Sequence, residues 1–133
     1  MSPHDILHPA TWKPAKGYAN GVAATGRMVF TGGLVGWNAD CVFETDDFAE
    51  QVEQVLKNIV AVLAEGGAEP QHLVRLTWYV TDKRDYLASQ QAVGAAYREI
   101  IGRHYPAMAL VQVVALVEDR AKVEIEATAV VPE

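Results

Sequence analysis

Residues 47–67 read DFAEQVEQVLKNIVAVLAEGG. Asp47 with Glu50 three positions later is a capping-box pattern, and Gly66-Gly67 supplies a stop. Phe48, Val52, Val55, Ile59, Val62 and Leu63 recur at three- and four-residue steps, which predicts a helix from Asp47 to Glu65 with one apolar stripe. Such a helix needs an apolar surface to cover, and the flanking sequence offers strands. Leu73–Val80 alternates, with Val74, Leu76, Trp78 and Val80 on one face and Arg75, Thr77 and Tyr79 on the other. Lys122–Val131 alternates more sharply: Val123, Ile125, Ala127 and Ala129 against Lys122, Glu124, Glu126 and Thr128.

Working outward, Asp85 can cap a second helix that runs to Ile101 and stops at Gly102, with Tyr86, Val93, Tyr97, Ile100 and Ile101 as its weaker stripe. Pro106 opens a strand over Met108–Ala115. Upstream, Tyr18–Ala24 and Met28–Leu34 read as strands joined into a hairpin by Thr25-Gly26-Arg27. Gly36–Thr45 is a loop carrying Trp37 and Cys41, and residues 1–17, broken by Pro3, Pro9 and Pro14, form an irregular arm. The expected order is ββαβαββ, an α+β domain spanning 1–133. Two helices cover one face of such a sheet, and the other face, with Tyr79, Leu110 and mixed neighbours, is left half apolar. That face predicts a homo-oligomer.

The chain has 133 residues, enough to bury about two thirds of its unfolded surface. Half of the residues are hydrophobic and 21% are charged, which excludes a disordered tail. With 11 Lys and Arg against 17 Asp and Glu the net charge is −6, and Lys83-Arg84 is the only adjacent pair of cations, so no nucleic-acid partner is expected. The lone Cys41 excludes an internal disulfide and a CxxC site, and the scattered His4, His8, His72 and His104 give no metal-ligand spacing. There is no GxGxxG, GxxxxGK, HExxH or GxSxG motif, and GGLVG at 32–36 ends a strand without opening a helix, so it reads as a tight turn. The amino-terminal stretch lacks an apolar signal core, and the longest apolar run, Ile59–Ala64, is far short of the ~20 residues that span a bilayer. The cytoplasm is the expected compartment, with no membrane partner.

Several stretches together resemble the RidA/YjgF family of small enamine and imine deaminases. They are GYANGV at 17–22, VFTGG at 29–33, QVLKNIVAVLAEGGA at 54–68, LVRLTWYVTD at 73–82, PAMALVQV at 106–113 and VEIEATAV at 123–130. The likeness runs in register from Tyr18 to Val131. It implies a chorismate-mutase-like α+β fold, a homotrimer with clefts between subunits, and hydrolysis of enamines or imines to keto acids and ammonia with no cofactor and no metal. It also implies roles for residues. Tyr18 matches a tyrosine that lines the cleft, Gly33 the glycine of a backbone turn, and Glu124 the glutamate that positions the attacking water. The hydroxyl position before that glycine is Gly32, and an asparagine of the second helix aligns with Gly94.

One departure matters most. The arginine that follows Pro-Ala in the family, and forks onto the substrate carboxylate, is Met108 here. Methionine neither donates a hydrogen bond nor carries charge, and a charge-assisted bond contributes about 1.5–3 kcal/mol. A small 2-imino acid should therefore bind at least about tenfold more weakly. Two expectations follow: a hydrolase with a different, less acidic small-molecule substrate, in which Trp37 adds an aromatic wall or packs its own loop, or a non-catalytic ligand-binding trimer. In the second, Glu124 is an ion-pair partner of Lys122, Arg75 or Arg120.

Overall fold

The computed structural model describes residues 2–133. In chain order the elements are β1 (Asp5–Leu7), β2 (Gly21–Ala23), β3 (Arg27–Phe30), β4 (Leu34–Val35), α1 (Phe48–Glu65), β5 (Leu73–Val80), α2 (Lys83–Ala88), α3 (Gln90–Ile100), β6 (Ala107–Gln112) and β7 (Val123–Val131). The main sheet runs β3-β7-β5-β6, with β4 also on β7; only β5 and β6 are parallel. The fold is α+β, with all three helices in one layer.

Helix α1 begins where its sequence dictates. The Asp47 side chain accepts from the Glu50 N–H at 3.0 Å, and Gly67 turns the chain with φ of 75°. Its buried face holds Val52, Val55, Leu56, Ile59 and Leu63, all fully excluded from solvent against Leu73, Leu76, Val80, Val123 and Ile125 of the sheet. Val62 turns outward and Leu56 inward, because α3 packs beside α1 and widens the buried arc toward Leu56. Gln51 is also buried. Its amide donates to the carbonyls of Thr45 and Arg120 and accepts from the Lys122 N–H, tying the loop before α1 to the start of β7. Truncating Leu56 to alanine is expected to lower unfolding free energy by about 2–5 kcal/mol, readable from a urea transition with unchanged slope.

The first strands depart from the expected hairpin. Gly26 adopts φ of 150°, and a Cβ there would overlap the Val131 carbonyl. The chain thus turns against the end of β7, so Arg27 pairs with Val131 and β3 joins β7 rather than β2. β2 pairs instead with β1, which makes part of the arm a strand rather than irregular chain. The predicted strand Met28–Leu34 also splits. Phe30 faces Thr128, yet Leu34 faces Ile125, so Thr31-Gly32-Gly33 spans two residues of β7 in a bulge. The Thr31 hydroxyl holds this bulge by accepting from the Ala127 N–H and donating to the Gly32 carbonyl.

The predicted second helix breaks at Ser89 into α2 and α3, and Asp82, not Asp85, caps it by accepting from the Arg84 N–H. The same arginine holds the Asp82 carboxyl down at about 2. β6 stops at Gln112, three residues short of the expected end. A register shift between Leu73 and Arg75 puts Leu73, not Val74, into the core. Leu110 sits beside Trp78 on the helix side, so it does not belong to the uncovered face.

Candidate functional site

Glu124 projects from β7 away from the helices, beside Val35 of β4 and Tyr79 of β5. The bulge brings Gly33 under its carboxylate so closely that a Cβ on Gly33 would overlap the carboxylate oxygens. Among the described residues Glu124 has no ion-pair partner, because Arg120 is committed to Asp46 and to the Phe43 carbonyl, and neither Lys122 nor Arg75 lies within 4.0 Å of it. Next to it, the Tyr79 hydroxyl donates to Glu126 at 2.8 Å. That bond, burial and the negative charges of Glu126 and Glu124 raise the Tyr79 pKa, so the phenol stays protonated. Met28 and Phe30 stand exposed on the same face of β3, at 56% and 63%.

Tyr18 and Met108 lie elsewhere. They line a cavity of about 470 Å³ between the end of the arm, α2, α3 and β6. Trp78, Tyr86, Tyr97 and Tyr105 form the aromatic part of its wall, with Leu110 and Met108 from β6. Trp78 and Tyr86 meet edge to face at 6.4 Å, and Tyr97 stacks on Tyr105 at 5.3 Å. Ala19, next to Tyr18, bridges to Ala107 and fixes the arm along the edge of β6. Lys16 and Arg98 reach the cavity, and no carboxylate lines it.

The candidate residues therefore fall into two groups. Met108 is in register with Leu76, whose side chain is in the core, whereas Glu124 is in register with Tyr79 on the opposite face, two strands away. One chain brings Gly32, Gly33 and Glu124 together, and separately brings Tyr18, Met108 and Gly94 together. Trp37 joins neither group. It packs on Phe43 at 5.8 Å within a small cluster with Val35, Leu116 and Ala121, and its carbonyl accepts from Asn58. The aromatic wall of the cavity was hidden in the sequence because Trp78, Tyr86 and Tyr97 sit at core-like positions of strand and helix. Arg98 was legible only as a residue one helical turn after Gly94.

Behind the cavity, Tyr97 donates to the His104 carbonyl at 2.6 Å, and the His104 Nε2–H is placed to donate to the Leu73 carbonyl at 2.8 Å. Burial lowers the His104 pKa, the Leu73 bond opposes this, and His4 and His72 nearby lower it further. The folded state thus binds fewer protons here than the unfolded chain, so stability present above about pH 6.5 is lost as the pH falls. Thermal midpoints between pH 7 and pH 5 are expected to fall more steeply for the wild type than for His104→Gln.

The geometry defines a small α+β domain with an open sheet face and an aromatic cleft at one sheet edge. The family described as Endoribonuclease L-PSP matches residues 9–131. The chain is 37% identical over 110 residues to Protein DfrA of Myxococcus xanthus (79% of this chain, 77% of that one). It is 30% identical to a RutC family protein of Aquifex aeolicus, covering 95% of this chain and 98% of the relative. In structure it is similar to the Rid-family protein YyfB of Yersinia pestis, with TM-score 0.85, 31% identity, and 96% and 98% of the two chains covered. A member of the YjgF/YER057c/UK114 family from Mycobacterium tuberculosis superposes with TM-score 0.64 at 32% identity over 86% and 87% of the chains. The chain belongs to the RidA/YjgF family. No described helix is long and apolar enough to cross a membrane.

Proposed function

We propose that this protein is a hydrolase of small imines or enamines, acting in clefts formed where the sheet face of one copy meets the aromatic cavity of another in a homotrimer. The observation that carries this reading is the unpaired carboxylate of Glu124, held over a glycine bulge on a sheet face that no helix covers. A carboxylate with no cation beside it is available to accept a proton from water. As the water oxygen bonds to the carbon of the C=N group, Glu124 takes one proton from that water and passes it to the nitrogen, giving a carbinolamine. Glu124 then takes the remaining hydroxyl proton and delivers it to the amine as the C–N bond breaks, so that ammonia leaves and the carbonyl remains. The N–H groups of Gly32 and Gly33, which donate to no other described group, are free to bind polar atoms of the substrate. A tyrosine hydroxyl is available at Tyr18 across the cleft.

The exposed Met28 and Phe30 supply an apolar surface for the second copy. Cleavage of RNA fits poorly, because Glu124 and Glu126 on this face and the net charge of −6 repel phosphate. Met108 supports a substrate other than a small 2-imino acid, and it equally suits a trimer that binds a ligand without reacting it. Ammonia release from enzymatically generated 2-iminopropanoate and from imines with larger side chains separates the two. Turnover of a larger imine above the buffer rate, with 2-iminopropanoate slower and Met108→Arg improving it, is the expected result. No turnover of any imine by either form would leave ligand binding as the function.

A further inference from the structure

Met108 removes a cation from the floor of the cavity, yet the cavity is not free of positive charge. Arg98 on α3 and Lys16 on the arm both reach it, in a chain whose overall charge is negative. Arg98 makes no ion pair among the described residues, and no aspartate or glutamate lines the cavity to neutralise it. Its guanidinium lies across Gly94: a Cβ at that position would stand 3.2 Å from Arg98 Nη1. Glycine is poor helix material, costing about 1 kcal/mol against alanine, so its place mid-helix needs a reason, and the room it gives Arg98 is one. Tyr86, Tyr97 and Tyr105 line the same cavity as this cation and Met108. The indole N–H of Trp78 in the same wall has no acceptor among the described residues.

We infer that the cavity selects acids with a flat apolar body, Arg98 binding the acid group with help from Lys16 and so replacing the arginine that is absent at position 108. This rests on the cleft proposed above and names the substrate class for it: an aromatic 2-imino acid or its keto-acid product. The cation of this cavity stands on the helix, at Arg98, rather than on the strand at position 108. A ligand with only a methyl group beside its carboxylate leaves the aromatic lining of a cavity of about 470 Å³ unused, whereas an aryl acid sets its ring against the tyrosines while its carboxylate meets Arg98. The guanidinium suits the task because its donors match two carboxylate oxygens.

Equilibrium binding of stable keto compounds tests this without any turnover, on the wild type and on Glu124→Gln alike. Phenylpyruvate is expected to bind at least about tenfold more tightly than pyruvate, and than phenylacetone, which has the ring and ketone but no carboxylate. Arg98→Gln should weaken phenylpyruvate by about tenfold to a hundredfold and leave phenylacetone unchanged, and Arg98→Lys should fall between. Gly94→Asn, which crowds the guanidinium out of its place, should act in the same direction as Arg98→Gln. Equal binding of pyruvate and phenylpyruvate, or an Arg98→Gln effect that is absent or the same for phenylacetone, would overturn the inference. Binding as expected without ammonia release from any imine would remove the hydrolase reading and leave this one standing. Turnover of imines indifferent to Arg98 would do the reverse.

Discussion

Glu124→Gln is expected to reduce imine hydrolysis by about 10²–10⁴-fold, the usual contribution of a positioned acid–base group, with its thermal midpoint close to that of the wild type. The side chain keeps its size, and no ion pair is broken, because none of the described cations is within 4.0 Å of the carboxylate. What is lost, on the mechanism proposed above, is the group that accepts the proton from water. The same variant should still bind a keto-acid product, so kcat falls while product affinity holds. A small loss of kcat would assign Glu124 to the strand rather than to the reaction.

Phe30→Glu is expected to separate the copies and to take activity down with them, even though Phe30 touches neither the cavity nor Glu124's own strand position. Phe30 is 63% exposed on β3, on the sheet face that holds Glu124. A carboxylate there must be desolvated whenever a second copy covers the face, and it adds to the negative charge of Glu124 and Glu126. Sedimentation should show the wild type as an oligomer and the variant as monomer at micromolar concentration, folded by circular dichroism. An active monomer would contradict a cleft shared between copies.

Local elements were legible in the sequence wherever one rule governed them. Asp47, Glu50 and Gly67 delimit α1 because capping is decided within a few residues, and β5 ends where its alternation ends. The hairpin expected from Thr25-Gly26-Arg27 failed for a nonlocal reason: the same glycine that suits a tight loop also allows the chain to press against Val131, and β3 then pairs along four residues of the distant β7. Leu110 was placed on the wrong face because facing depends on the parallel register with Trp78, which no local pattern sets. For the site, the resemblance brought out Tyr18, Gly32, Gly33, Met108 and Glu124, but not their division between two faces. Arg98 and the tyrosine wall arise from α3 and β6 meeting the arm, contacts made between distant segments.

The most direct measurement is complementation between two inactive forms, Glu124→Gln and Gly94→Trp, the second filling the cavity with its own side chain. Each is assembled alone and then together after mixing at equal amounts through denaturant and refolding. With the carboxylate from one copy and the cavity from another, a random mixture contains intact clefts and should recover about one quarter of wild-type activity. Activity that stays at the level of the separate variants, with mixed oligomers demonstrated, would mean that each chain works with its own Glu124, contrary to the proposal drawn from Glu124 and Met108 lying on opposite faces.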